Sequence, residues 1–593
     1  MAKAKRQASR RQRIRKEWRA YAKQALQYAR DVSGGRILAG KYTRGACQRH
    51  LDDLVRSRSE GFEFKFDADR AGKVCAFMER FPHVKGKWAR DAQPIHLEPW
   101  ELFIVCSIFG WVHKQTGLRR FTEAQVYVPR KNGKTILAAL IGLYMFVGDG
   151  EPGAEVYNGA GDKDQAKEVF SPASKMARRA DGFKEWFGIT IAKESMYIID
   201  EGSKWEIVIG NPGDGSSPHC FIHDEFHEQP TFAQYETAQT GVMAREQSLQ
   251  LVISTAGFEI ESPCHDLWEA LKKLLEGTYA NERLFGIIWG IEDPDRLVTM
   301  PDGSERPYWT TLEAVQEANP NYGVSVLPDR IKAELDSAIQ RASKQNAYKT
   351  KHLNIWVNAR EAWMNMEKWR ACGDPSLDIE EFLHEPCYEG LDLGARIDLT
   401  SRLKIFVRLG PDTRKHYYLF GQHYVPKDRA NDGQHSHYEK WLKLDQIVGH
   451  DGPEIQLGFI EKEVEDDLQR FNYARLAFDP HQALQMQQNL KLRLGQDAGG
   501  QDVVVDVPQR WQYFDPAMKE IEAAVYSGRL HHTGDPVLSW AIGNVLSKPD
   551  ANDIDFPRKE NRMSKIDPAT ALFTGFYTAL AAVPLPSGPI EVW

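Results

Sequence analysis

Apolar positions near the start of the chain fall at Ile14, Trp18, Tyr21, Ala25 and Tyr28, a helical period, with Arg and Lys on the other faces. This predicts a basic amphipathic helix, which reads equally as a surface helix docked on its own domain or as an arm that binds DNA or a partner. Between Phe121 and Gly257 the pattern changes to short β-rich runs, each followed by a polar turn and a helical segment. Ala124 to Val128, Ala154 to Asn158, Cys220 to His223 and Gln250 to Ser254 are the clearest. Such alternation predicts βαβ units and a parallel sheet, with function at the C-terminal ends of its strands. Trp356, Trp363 and Trp369 precede a Gly373-Asp374-Pro375 break and acidic residues up to Glu385, which places an interdomain connection there. Beyond it Tyr388 to Leu393, Arg402 to Leu409, His416 to Tyr424 and Ala474 to Phe478 read as strands of a second, mixed α/β domain. The expected organisation is therefore a basic arm over 1–60, a first domain over 61–360, a linker over 361–385 and a second domain over 386–593.

Composition sets limits on this picture. A chain of 593 residues with 42% hydrophobic and 27% charged residues and 16 Trp is globular and too long for one core. The net charge of −7 excludes a polycation, so contact with nucleic acid must come from local basic surface. Nine Lys or Arg against Glu17 in the first twenty residues form one such surface. Seven scattered cysteines without a CxxC pair point to a reducing cytosol. Thr135 to Gly148 is too short to cross a bilayer, and Pro568 to Pro586 is interrupted by Thr570, Thr574, Gly575 and Thr578. Both read as buried helices, and no membrane association is expected.

Candidate chemistry appears in two places. Val126-Tyr127-Val128-Pro129-Arg130-Lys131-Asn132-Gly133-Lys134-Thr135 is a strand running into a Gly-Lys-Thr loop, with an apolar helix directly after it. A phosphate needs that layout: free amides at a helix N-terminus, Gly133 for close approach, Lys134 for the β/γ-phosphates and Thr135 for Mg²⁺. Arg130 and Lys131 add charge, and Val128 stands where a standard phosphate loop begins with Gly. Downstream, Cys220 to His223 is a buried-strand run ending in Asp224-Glu225, as for an Mg²⁺-orienting aspartate and a water-polarising glutamate. The next strand ends in Ser254-Thr255-Ala256-Gly257, placing a γ-phosphate sensor beside them. Together these predict an ATPase. His219, Cys220, His223 and His227 lack paired zinc-ligand spacing, whereas Asp224-Glu225-Phe226-His227 also reads as the DExH box of a helicase.

The second place is acidic. Asp392 interrupts an apolar strand, Asp479 ends a later one, and Asp567 opens the C-terminal apolar helix. Singly they read as a hydrogen-bonded carboxylate, a turn residue and a helix N-cap. Jointly they are what a two-metal nuclease requires, with Asp392 as the bridge.

In order along the chain, the Pro129–Thr135 loop, the Asp224–His227 box, Ser254–Gly257, Leu353-Asn354-Ile355-Trp356, Gly390-Leu391-Asp392-Leu393-Gly394 and Lys565-Ile566-Asp567 resemble the large terminase subunit of tailed bacteriophages. The resemblance covers roughly Pro94 to Leu580. It implies an α/β chain with an N-terminal RecA-like P-loop ATPase domain built on a parallel-core sheet and a C-terminal RNase H-like, mixed-sheet nuclease domain. It also implies a packaging motor that binds ATP and Mg²⁺, with Mn²⁺ able to serve the nuclease, and works on double-stranded DNA. A portal protein, a small terminase subunit and a homo-oligomeric ring are the implied partners, in the host cytoplasm with transient docking on the procapsid. By position, Arg130 resembles the arginine acting in cis, Lys134 and Thr135 the Walker A pair, and Asp224 and Glu225 the Walker B aspartate and catalytic glutamate. Thr255 resembles the coupling residue, and Asp392, Asp479 and Asp567 the nuclease triad. His96-Leu97-Glu98-Pro99-Trp100-Glu101 resembles the adenine-recognition motif, where the family pattern has Gln in place of Glu101. Two rival functions are a DExH translocase or helicase without nuclease activity, which needs a second RecA-like domain, and a capsid-associated structural protein with a vestigial nucleotide site.

Overall fold

The computed structural model describes residues 2–160, 163–209, 216–260, 262–357, 363–393, 397–431, 436–480, 483–547, 554–559 and 565–586. The side chains of residues 2–11, which carry part of the N-terminal positive charge, and Gly394 of the acidic-strand motif lie outside the described residues. The chain forms two compact units, Met1–Ile339 with Tyr348–Val357, and Gln340–Ala347 with Asn358–Trp593. Among the described residues no helix is long and apolar enough to cross a membrane.

The first unit is organised by an eight-stranded sheet. Its strands are β1 (Glu123–Tyr127), β2 (Glu155–Ala160), β3 (Ile189–Ile191), β4 (Ser195–Ile198), β5 (Ser203–Ile209), β6 (Cys220–Asp224), β7 (Leu249–Ser254) and β8 (Leu284–Ile288). They lie in the order β8-β1-β7-β6-β2-β5-β4-β3. The pairs from β8 to β5 are parallel, and β4 and β3 add an antiparallel edge that the sequence pattern did not predict. Central strands β6 and β7 are buried along their whole length, as parallel strands covered on both faces must be.

Helices α1 (Ala2–Ser33), α2 (Ala68–Met78), α3 (Pro99–Gly110) and α4 (Lys134–Val147) belong to the same unit. The first 60 residues are not a separate arm. From Trp18 onward α1 is packed on α2: a Cβ on Gly72 would lie 2.0 Å from the Trp18 carbonyl oxygen, so the two backbones touch. Ala25, Tyr28, Ala29 and Val32 are buried, and Arg19 Nε is 2.6 Å from Asp69 Oδ1. The helical period is therefore the signature of docking along this stretch.

The second unit carries β9 (Pro386–Asp392), β10 (Thr400–Leu409), β11 (Lys415–Pro426), β12 (Val448–His450), β13 (Asn472–Phe478) and β14 (Val504–Asp506), in the order β12-β11-β10-β9-β13-β14. Strands β9 to β11 form antiparallel hairpins, while β13 runs parallel to β9 and β14 parallel to β13. The stretch 361–385 is not a free linker, because its described large side chains are core. Trp369 stacks on His532 at 4.6 Å, Trp363 packs against Phe573 and Phe382 is fully buried. Helices α5 (Pro536–Asn544) and α6 (Asp567–Ala579) complete the part of this unit that matters for chemistry. Strand β9 and α6 meet backbone to backbone: a Cβ on Gly390 would sit 2.1 Å from the Ala571 carbonyl oxygen and 2.3 Å from the Gly575 nitrogen.

That contact has no room for a methyl group. Gly390→Ala is expected to lower the unfolding free energy by about 1–3 kcal/mol, the range of overpacking changes. Gly458→Ala, at a helical position with nothing within 4 Å of the added carbon, is expected to cost nothing. Denaturant midpoints of the two variants check this.

Candidate active sites

In the first unit β1 feeds the phosphate loop, and the loop feeds α4, whose N-cap is Gly133 at φ +90°. Lys131 also adopts a positive φ, +71°, a conformation unusual for a side-chain-bearing residue. The loop is held in that shape from outside. Asn132, fully buried, donates to the Pro129 carbonyl at 3.0 Å and to Asn319 Oδ1 at 2.8 Å, and accepts from the Asn321 N–H at 3.0 Å. Ser325 Oγ donates to the Lys131 carbonyl at 2.6 Å. The 319–325 segment thus supplies polar partners to a loop that lacks the usual first glycine. Its Asn-Pro-Asn signal was present in the sequence but unconnected to the loop 190 residues earlier.

Strands β6 and β7 are neighbours in the sheet and bring their ends to the same edge. Asp224 ends β6 buried, and Glu225 follows at φ +49°. Glu225 Oε1 is 2.8 Å from Lys134 Nζ. Burial works against ionisation of Glu225, but Lys134, and behind it His227 and Arg130, hold its carboxyl below the ordinary value. Asp224 is displaced upward, by burial and then by the Glu225 carboxylate. A buried carboxyl displaced upward, only partly relieved by Lys134 and the Glu225 N–H, suits a divalent cation. Arg130 Nε is buried without a hydrogen-bond partner among the described residues, which suits an anion between it and the loop. Thr255, at the end of β7, is reached through His227, whose Nδ1 lies 3.0 Å from Ser254 Oγ and 3.3 Å from Glu225 Oε2. His219, His223 and His227 face Asp149, Gln250 and Glu225 respectively, so they do not converge as zinc ligands.

A cavity of about 480 Å³ opens beside the loop, lined among others by His83, Trp88, Glu101, Gly133, Ile136 and Ser325. Glu101 and Trp100, expected to share a nucleotide-binding role, part company here. Glu101 lines the cavity, while its Oε2 accepts from the Glu98 N–H at 2.8 Å in a capping box. Trp100 is turned into the core, packed on Trp289, and donates from Nε1 to Asn321 Oδ1 at 2.8 Å. It braces the segment that braces the loop. His83 and Trp88, whose rings lie 5.0 Å apart, are the cavity aromatics the sequence reading missed.

In the second unit Leu391 pairs with Phe478 across parallel strands β9 and β13, so Asp392 and Asp479 continue side by side past one edge of the sheet. Asp567 opens α6 one turn before Ala571, which touches Gly390, and is brought to the same edge. Burial, with Asp398 adding to it, pushes the Asp567 carboxyl up to about 6. Asp398 is ion-paired with Lys565 at 2.5 Å. Among the described residues no three His, Cys, Asp or Glu side chains stand close enough together to hold a metal ion as they are. The backbone gathers the carboxylates, all-oxygen donors of the kind Mg²⁺ and Mn²⁺ accept, without closing a cage around them.

Residues 99–273 match the family described as the ATPase domain of the terminase large subunit, and residues 313–582 match its endonuclease domain. The chain belongs to the terminase large-subunit family. Protein YmfN of Escherichia coli (strain K12) is 36% identical over 371 residues, 61% of this chain and 77% of that protein. The terminase large subunit of Enterobacteria phage HK97 is 23% identical over 517 residues, 85% of this chain and 94% of its own. The crystal structure of the HK97 large terminase is similar at a TM-score of 0.41 and 21% identity, covering 86% of this chain and 99% of that one. As a terminase large subunit the chain joins an ATPase, in its N-terminal part, to a DNA-cutting nuclease in a viral packaging motor. As an ATPase it uses nucleotide. No second RecA-like sheet follows the first among the described residues, and the helicase reading has no support.

Burial raises the Glu101 carboxyl to about 8. Folding therefore favours its protonated form, and this contribution to stability is lost as pH rises from the ordinary carboxylate range to about 8. Glu101→Gln, which keeps an acceptor for the Glu98 N–H, is expected to remove that loss. The variant should match the wild type near pH 4.5 and be the more stable above pH 8, checked by denaturant unfolding across the range; parallel profiles would contradict the burial account.

Proposed function

We propose that the first unit hydrolyses ATP to drive double-stranded DNA through a portal into a procapsid, and that the second cuts concatemeric DNA at a carboxylate site that takes two divalent ions. The observation that carries the reading is the convergence of Lys134, Asp224, Glu225 and Thr255 from the loop and two adjacent strand ends onto one edge of the sheet. Arg130, Lys131, Asn132 and Gly133 would wrap the phosphates. Lys134 would exchange Glu225 for the β/γ-phosphates and so free that carboxylate to polarise the attacking water. Thr135 and Asp224 would hold Mg²⁺, and Thr255 would report γ-phosphate loss. Glu101 would face the base from the cavity beside Gly133.

Asp392, Asp479 and Asp567 would hold the nuclease ions, Mg²⁺ with Mn²⁺ able to substitute. Such ions activate water and stabilise the leaving oxygen. The partners this reading requires are the portal, a small terminase subunit that recognises the genome, and further copies of the chain in a ring, in the host cytoplasm.

Glu225→Gln is expected to lower ATP turnover by about 100-fold or more while nucleotide binding survives, since the amide keeps the shape but cannot act as a base. Lys134→Ala should weaken binding itself. A turnover assay beside a fluorescent-nucleotide titration separates the two, and near wild-type turnover by Glu225→Gln would sink the assignment. Asp392→Asn should abolish metal-dependent plasmid cleavage and leave ATP hydrolysis intact, because the two centres lie in different units. Equal cleavage by wild type and Asp392→Asn would show that the carboxylate site is elsewhere.

A further inference from the structure

The sheet face that carries Asp392 carries a second set of polar side chains. Ser401 on β10 stands directly opposite Asp392 on β9, and His423 on β11 stands directly opposite Ser401. Register-paired residues of antiparallel strands share a face, so the three form one row across the sheet. Ser401 Oγ is 2.9 Å from His423 Nδ1, and His423 Nε2 is 2.7 Å from Asp535 Oδ2. Asp535 is anchored in turn as the N-cap of α5, accepting from the Val537 and Leu538 N–H groups at 2.8 and 3.1 Å. Gly421 leaves space for the pair: a Cβ there would lie 2.5 Å from Asp535 Oδ2 and 2.8 Å from His423 Nε2. Ser401 and His423 are 0% and 2% exposed, an expensive burial of polar groups unless the row has a task or a full set of partners.

Serine, histidine and aspartate are the side chains of a hydrolase triad, but this row is not one. In such triads serine faces Nε2 and the carboxylate faces Nδ1, with the serine open to substrate. Here the nitrogens are exchanged and Ser401 has no exposed surface. What the row can do is orient. Burial opposes ionisation of Asp535, yet His423 holds its carboxyl below the ordinary value, so the carboxylate accepts a hydrogen bond from His423 Nε2–H. The imidazolium donates Nε2–H to Asp535 and Nδ1–H to Ser401 Oγ, which leaves the Ser401 hydroxyl proton to donate to Asp392 beside it. Asp479, by contrast, lies on the other side of β9, after β13.

We propose that Ser401, His423 and Asp535 form a positioning relay that fixes the Asp392 carboxylate as an ion ligand from the side of the sheet opposite Asp479. The relay rests on the reading of Asp392 as a ligand, and the test separates the two. Mn²⁺ binding to the full chain is followed through the free-ion electron paramagnetic resonance signal for wild type, Ser401→Ala, His423→Ala, Asp392→Asn and the His423→Ala/Asp392→Asn double variant. Thermal unfolding in chelator verifies the fold, and ATPase activity verifies the first unit. Partners behind a metal ligand are worth about 10–100-fold in affinity. Ser401→Ala and His423→Ala are therefore expected to weaken the Asp392-dependent Mn²⁺ site by about tenfold or more, and His423→Ala should add nothing once Asp392 is already Asn. Should His423→Ala fail to fold, Ser401→Ala, which removes one oxygen, decides the matter. Wild-type Mn²⁺ affinity in Ser401→Ala and His423→Ala, alongside loss of the site in Asp392→Asn, would overturn the relay. Unchanged binding in Asp392→Asn would overturn the ligand assignment on which it stands.

Discussion

An ionised carboxylate at the end of a buried strand needs a cation, because neither the strand nor the helix packed on it can solvate the charge. Both units of the chain are arranged around that requirement. In the first, Glu225 meets it with Lys134 at 2.8 Å, while Asp224 is left with its carboxyl raised. In the second, Asp392, Asp479 and Asp567 are drawn to one edge, where Lys565 is ion-paired with Asp398. Buried carboxyls gathered at each edge, with Asp224 and Asp567 displaced upward, are a reason for divalent ions that does not depend on family likeness.

The Lys134 to Glu225 pair has a second role in the proposed nucleotide site. Lysine and glutamate satisfy each other across the place proposed for the γ-phosphate and the attacking water. Substrate phosphate, a stronger ligand for Lys134 than a single carboxylate, would undo the pair and release the base at the moment it is needed. The loop around them departs from the usual glycine-rich form at Val128, and its conformation is held from outside. Lys131 takes the left-handed conformation, Ser325 and Asn132 fix it, and Asn321 hands the constraint on to Trp100. The cost of the backbone conformation is carried by a buried amide network more than 180 residues downstream.

Much of this was legible in the sequence, and the exceptions share a cause. Strands β1, β2, β6 and β7 and the hairpins of the second unit announce themselves because apolar runs and turn residues are local signals. Gly133, Lys134, Asp224 and Glu225 were legible because motif spacing encodes their meeting. The antiparallel edge β3 to β5, the 319–325 brace and the cavity aromatics His83 and Trp88 were not, since each acquires meaning only through contacts distant in sequence. Trp100 illustrates the same limit from the other side: its neighbour Glu101 does line the cavity, but one position of helical rotation turns Trp100 into the core. Trp363 and Trp369, read as the start of a linker, are core for the equally non-local reason that Phe573 and His532 lie against them.

The most direct test of the central claim is to locate the cations. Anomalous diffraction from crystals of the full chain grown with Mn²⁺ and a non-hydrolysable ATP analogue should place Mn²⁺ at coordination distance, about 2.0–2.3 Å, from oxygens of Asp392 and of at least one of Asp479 and Asp567, with a further ion beside Thr135 and Asp224. Lys134 should have left Glu225 for the phosphates. Mn²⁺ bound by neither set of carboxylates in a preparation that hydrolyses ATP and cuts DNA would contradict the account.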